Sequence, residues 1–181
     1  MMHDDEMTRR IAPLIPALRR YARALMKNPA MADDLVQDCL ERAISRWHQH
    51  RSDGNTRTWM FTILHNLAVN SWQQARFRGV HVMIDDVGDA AFSHPPQQDE
   101  NLHLQDVMAA LEQLPDDQRS VVLLVSVEDL SYADTAKVLG VPVGTVMSRL
   151  SRGRERLHQI LAGATNGTIE KPHGPALRRV K

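Results

Sequence analysis

The chain has 181 residues, 43% of them hydrophobic and 4% aromatic, with 22 basic and 22 acidic side chains and a single cysteine. This composition suits one domain or two small ones with packed cores and leans to an all-helical fold; it excludes a wholly disordered chain, and the lone thiol excludes an internal disulfide. No apolar run approaches the roughly 18 residues of a membrane span and no apolar stretch follows the charged first residues, so neither membrane insertion nor secretion is expected, and a cytoplasmic protein follows.

The zero net charge conceals a pattern. Residues 1–79 hold 12 basic and 8 acidic side chains, residues 80–129 hold 1 and 11, and residues 143–181 hold 8 and 2. Two basic ends flank an acidic middle, an asymmetry that bears on nucleic-acid binding.

In chain order, Ile11, Leu14, Ile15, Leu18, Ala22 and Leu25 recur at helical spacing, with Pro13 and Pro16 near the start and Asn28-Pro29 as the break. Ala32, Leu35, Val36, Cys39, Leu40, Ala43, Ile44 and Trp47 then form an apolar stripe on a helix over 31–47, which makes Cys39 a buried small hydrophobe. The opposite face carries Asp33, Asp34, Gln37, Asp38, Glu41 and Arg42, as a solvated face would. Residues 48–56 have loop composition. Thr56 or Thr58 caps a third helix through Trp59, Met60, Ile63, Leu64, Leu67 and Trp72 to about Arg76.

From residue 79 to 100 the period fails. Pro95-Pro96, two glycines and the acids Asp85, Asp86, Asp89, Asp99 and Glu100 read as an extended acidic linker. Leu102, Leu104, Val107, Met108, Leu111 and Leu114 make the next helix, stopped by Pro115, and Asp116 is expected to cap one carrying Val121, Val122, Leu124 and Val125. The domains expected are therefore 1–78 and 101–162, with linker 79–100 between them and a mobile basic tail, 163–181.

The stretch LSYADTAKVLGVPVGTVMSRLSRGRERL, residues 130–157, carries the most information. Ser131 caps a helix with Ala133, Ala136, Val138 and Leu139 on its apolar side. Gly140 suits a left-handed stop, Pro142 bars continuation, and Thr145 or Gly144 opens a second helix. Two helices across such a short turn are the helix-turn-helix arrangement of DNA-binding proteins. On the second helix Val146, Leu150, Gly153, Leu157 and Ile160 must face the core. Thr145, Ser148, Ser151, Arg152 and Glu155 then face outward, flanked by Arg149, Arg154 and Arg156. Short hydroxyls permit close approach to base edges, and arginine pairs with guanine or phosphate.

With these motifs in view, the sequence resembles the extracytoplasmic-function (ECF) sigma factors, bacterial subunits that direct RNA polymerase to promoters. LPDDQRSVVLLV and the stretch above resemble their region 4; MADDLVQDCLERAISRW and TRTWMFTILHNLAVNSW resemble their region 2. The resemblance implies that Asp34, Gln37, Asp38 and Glu41 meet the β′ clamp helices of core polymerase, where carboxylates facing arginines make charge-assisted bonds. It implies −10 reading by Asn66 and Asn70, with residues 48–57 as a pocket loop and Gln73, Arg76 and Arg78 on phosphates. Trp59 belongs either to the core or to this −10 surface. At the −35 element, Ser148, Ser151 and Arg152 would face bases, with Thr145, Arg149 and Arg154 on the backbone. His65 and Met147 stand where the family often has basic residues. Partners implied are core RNA polymerase (β′ clamp helices and β flap), promoter DNA and an anti-sigma factor. The acidic linker would run through the polymerase cleft.

Other functions fit less well. Residues 1–79 are too short and too basic for a ligand sensor of a conventional transcription factor. Nine histidines raise the question of an enzyme, but His48 and His50 share no helical face. No HExxH, CxxC, phosphate loop or nucleophile elbow is present, so no catalytic residue, metal or cofactor is expected.

Overall fold

The computed structural model describes residues 2–26, 28–50, 54–78 and 98–166, with side chains at 5–26, 28–50, 54–76 and 105–163. Among the described residues the fold is helical, with no strand. In order come α1 (Met2–Ile11), a 3-10 turn (Ala12–Leu14), α2 (Ile15–Leu25), α3 (Pro29–Ser45), a second 3-10 turn (Trp47–Gln49) and α4 (Thr56–Arg78). The second half holds α5 (Gln98–Glu112), α6 (Asp116–Val122) running into a π-helical turn (Leu123–Val127), α7 (Tyr132–Leu139) and α8 (Val143–Asn166).

Local chemistry sets the ends. Asn28 does more than break the preceding helix: its Oδ1 accepts from Ala30 N and Met31 N, and Pro29 fills the first helical position, so α3 starts two residues before the expected point. Asn55, not a threonine, caps α4, accepting from Thr58 N at 3.2 Å. Asp116 is not a cap either. Pro115 occupies that position and Asp116 lies in the first turn, where its charge suits the helix dipole. Ser131 caps α7 as expected, accepting from Asp134 N, and Gly140 ends it at φ 63°.

Other expectations need correction. The acidic N-terminus forms a helix, α1, for which no helix was expected. α5 begins at Gln98, inside the expected linker, and α8 begins at Val143 and continues to Asn166, into the expected tail. Residues 79–97 and 167–181 lie outside the described residues. Ile44 is 54% exposed although it continues the α3 stripe, whereas Trp47, one turn on, is buried. Ala133 is also exposed.

Each half builds its own apolar contacts, and the two then share one cluster. Leu18, Ala22, Leu25, Leu35, Val36, Cys39, Phe61 and Leu64 fill the first; Leu111, Leu114, Val121, Leu124, Val138, Val146 and Leu150 fill the second. Burial pushes the Cys39 thiol up to about 12, so it packs as a hydrophobe.

The halves meet along a polar seam, where α7 lies beside α4 and α5 and α6 approach α2. The Glu128 carboxylate is wholly buried there. Arg20 of α2 donates to both its oxygens at 2.8 and 2.9 Å, and Arg57 of α4 donates to its Oε2 at 3.2 Å and its main-chain carbonyl at 2.7 Å. Arg119, also buried, donates to the carbonyls of Leu111, Glu112 and Leu114 and across the seam to Leu25 at 3.2 Å. Tyr21 and His65 share a buried 3.2 Å hydrogen bond. Burial, reinforced by the charge of Arg149, lowers the His65 pKa to about 4, so the ring is neutral.

Candidate nucleic-acid interface

On α8, Val146 and Leu150 are buried against the second core, and Gly153 backs onto α6. A Cβ on Gly153 would stand 2.8 Å from Val122 Cγ2, so only glycine lets α8 lie this close. With that side fixed, 3.6 residues per turn send Ser148, Ser151, Arg152 and Glu155 to the opposite side, where all four are exposed. Ser148 Oγ donates to Thr145 O, and Arg152 Nε donates to Ser148 O at 3.2 Å, while the Arg152 side chain stays exposed. Arg154 donates to Ser126 Oγ at 3.1 Å. Thr145 is half-buried. Arg149 is drawn inward, its Nε 3.1 Å from Asp117.

α4 has an exposed face and a face turned to the second half, side by side. Trp59, Asn66, Asn70 and Gln73 follow helical spacing along one, and the last three are exposed. Trp59 is half-buried: it meets Trp47 edge-on at 6.1 Å and His50 at 4.7 Å, while His50 stacks flat on Trp47 at 4.9 Å. The rings of Trp59 and His50 border a cavity of about 330 Å³ with Gly54, Asn55 and Thr58, closed on one side by Asp134 and Lys137 of α7. The adjoining face, with His65, Val69 and Trp72, turns into the seam. Arg76 lies at its edge, 79% exposed and 3.4 Å from Asp116. The Arg78 side chain lies outside the described residues.

On α3, Asp34, Gln37, Asp38 and Glu41 are all exposed and share one face, with Gln37 donating to Glu41 at 3.1 Å. Asp33, beside them, pairs instead with Arg23. Among the described residues no group of histidine, cysteine and carboxylate side chains could hold a metal ion, and no helix is long and apolar enough to cross a membrane.

Residues 11–65 match the family described as the Sigma2 domain of PhyR, and residues 104–157 match Sigma-70, region 4. The chain is also 35% identical over 163 residues to the ECF RNA polymerase sigma factor EcfG of Rhodopseudomonas palustris, covering 87% of this chain and 86% of that one. The chain belongs to the ECF RNA polymerase sigma factors.

Two further likenesses bear on this sigma factor. SigL of Mycobacterium tuberculosis is 35% identical over 137 residues, 74% of this chain and 76% of its own. The sigma factor RpoE of Bartonella quintana, solved in complex with the anti-sigma factor NepR, superposes with a TM-score of 0.73 at 35% identity, over 87% of this chain and 97% of that one. The sigma factor thus consists of a region 2 and a region 4, supplying RNA polymerase with promoter specificity for transcription initiation. Its region 2 match ends at residue 65, so Asn66, Asn70, Gln73 and Arg76 lie just beyond it.

The geometry also brings together residues that sequence reasoning kept apart. Gln73 and Arg76 of α4 and Arg149 of α8 border one cavity of about 260 Å³ with Asp116 and Asp117. The seam residues Arg20 and Glu128 carried no signal in the sequence: 108 positions separate them, and each alone resembles a solvated charge.

Proposed function

We propose that this sigma factor reads the −35 element with the outer face of α8 and the −10 element with α4 and its preceding loop, while α3 docks on core RNA polymerase. The observation that carries this reading is the α7–turn–α8 unit. Its Ser131 cap, left-handed Gly140 and buried Val146, Leu150 and Gly153 leave Ser148, Ser151 and Arg152 on one exposed face of a basic helix. Thr145, Arg149 and Arg154 flank that face at positions suited to phosphate contacts. On α4, Asn66 and Asn70 offer amide groups to unstacked bases beside the Trp59 ring, with Gln73, Arg76 and Arg78 toward the backbone. Asp34, Gln37, Asp38 and Glu41 are the acidic face for the β′ clamp helices, and the second half is assigned to the β flap. Domain limits of 1–78 and about 98–166 fit these roles. No chemical step is assigned to the chain, which works on DNA in the cytoplasm. Because the Bartonella relative was solved with NepR, control by an anti-sigma factor belongs to the same reading.

The test is reconstitution with purified core polymerase. Wild-type chain should give transcripts from one promoter class, whose start sites map to fixed −10 and −35 sequences. Asp34→Lys with Asp38→Lys should abolish co-purification with core while leaving the circular dichroism spectrum unchanged. Normal assembly by that double variant would return the α3 face to a solvated surface.

A further inference from the structure

Exposed apolar side chains gather on the helix-turn-helix unit. Of the seven large ones among the described residues, Tyr132, Val143 and Met147 lie in this one stretch. A single exposed hydrophobe is ordinary, but a group of them on one face marks a contact surface. Val143 and Met147 are 43% and 53% exposed and stand four residues apart on α8. Four residues turn an α-helix onward by only about 40°, so the two form a row that Ser151 continues. Tyr132 meets that row from the start of α7, bordering a depression of about 400 Å³ together with Met147, Ser151 and Arg154.

The surroundings decide what fits the row. Over residues 148–156 the helix carries four arginines and one acid, Glu155. That charge favours a polyanion over an apolar protein surface. In the major groove of DNA the base edges present hydrogen-bond donors and acceptors, and one apolar group, the C5-methyl of thymine. A donor or acceptor pressed against a methionine side chain loses its water and gains no partner, whereas a methyl group is better out of water. The thioether chain has three rotatable bonds and a polarizable sulfur, which lets it settle on such a group. Met147 can therefore discriminate where Ser148 and Ser151 do not, since a hydroxyl both donates and accepts and pairs with several bases.

We propose that Met147, backed by Val143, reads the C5-methyl group of a thymine in the −35 element. The proposal rests on the reading of α8 given above and adds to it a base preference at one position.

The experiment uses holoenzyme reconstituted from the full chain and core polymerase, on a promoter selected from DNA randomised across the −35 element. Each −35 thymine is then replaced in turn by deoxyuridine, which removes the methyl group and nothing else. At one position wild-type holoenzyme should bind about fourfold more weakly, the worth of one methyl group taken out of water. Met147→Ala should bind thymine and deoxyuridine equally there while keeping the same preferences elsewhere in the element. Met147→Leu, apolar and of similar volume, should retain the discrimination. Met147→Gln, similar in length but polar, should lose it. Because position 147 is exposed, all three variants should match the wild type in circular dichroism and melting. Wild-type holoenzyme that treats thymine and deoxyuridine alike at every −35 position overturns the proposal. So does a selected element with no thymine on either strand, or a Met147→Ala or Met147→Gln holoenzyme that still discriminates. Arg152→Ala keeps the two readings apart. If it leaves −35 selection unchanged, α8 is not the reading helix and the functional reading falls; if it alters selection while no methyl effect exists, the Met147 contact alone is removed.

Discussion

The outer face of α8 and the seam between the halves use the same chemistry in opposite ways. Arg152 is exposed on α8, with its Nε tied to its own helix at Ser148 O. Arg119 is 4% exposed and spends its fork on four main-chain carbonyls from both halves. One arginine is available to a partner and the other has become part of the frame. The difference shows that basic residue counts alone do not locate a nucleic-acid surface; what matters is which donors remain unspent.

The largest effect should come from the frame. Arg119→Met would leave four carbonyls without their donor, at about 1–3 kcal/mol for each group left unsatisfied and not replaced by water. A loss of roughly 3 kcal/mol or more in urea unfolding is expected, with both halves affected. If Arg119→Met unfolds at the wild-type midpoint, the contrast with Arg152 is wrong.

The next prediction concerns acid. His65 is held neutral in the fold, with its pKa lowered to about 4, first by burial and second by the charge of Arg149. An unfolded histidine takes up its proton near pH 6.5. Between those values the unfolded chain binds the extra proton, so stability is complete above about pH 6.5 and declines as pH falls toward 4. The slope should approach about 1.4 kcal/mol per pH unit. Thermal melts across that window would check it, and His65→Phe should flatten this part of the profile.

Arg152→Ala should change little in the fold, within about 0.5 kcal/mol. It should cost roughly 1–3 kcal/mol in promoter binding and relax selection at one −35 position. Arg154→Ala should weaken binding to all sequences alike and lower the salt slope by about one. Selection experiments on randomised −35 DNA separate the two outcomes. The smallest effect should be at Asp129, whose left-handed backbone suits glycine better. Asp129→Gly should raise the melting temperature slightly, by an amount equivalent to about 0.5–1 kcal/mol.

The same contrast governs what the sequence could reveal. The α7–α8 unit was legible because Ser131, Gly140 and the Val146, Leu150, Gly153 spacing act locally and agree with one another. The apolar side of α3 was legible for the same reason. α4 was harder, since it buries residues both in its own core and in the seam, and a helix apolar on most sides does not announce which side meets what. The cap at Asn55 was missed because two threonines nearby had equal claim, and Asp116 misled because an acid suits the first turn as well as the cap. The linker was drawn three residues too long because Gln98, Asp99 and Glu100 are polar, although acids at the start of a helix are favourable. Pairings such as Arg20 with Glu128 depend on how two separately folded surfaces meet, and nothing in either segment encodes the distance between them.

The missing side chain at Gly153 has one further consequence. Its bare backbone seats Val122 of α6 as a key seats in a lock, and that fit leaves α8 one rotational setting. Moving the helix by a single residue would turn every side chain by about 100°, carrying Ser148 and Arg152 off the outer face and presenting other residues in their place. On the proposed reading of the −35 element, the choice of promoter sequence depends on a residue with no side chain to offer DNA, and a methyl group added at Gly153 would alter recognition by changing its bearing instead of its contacts.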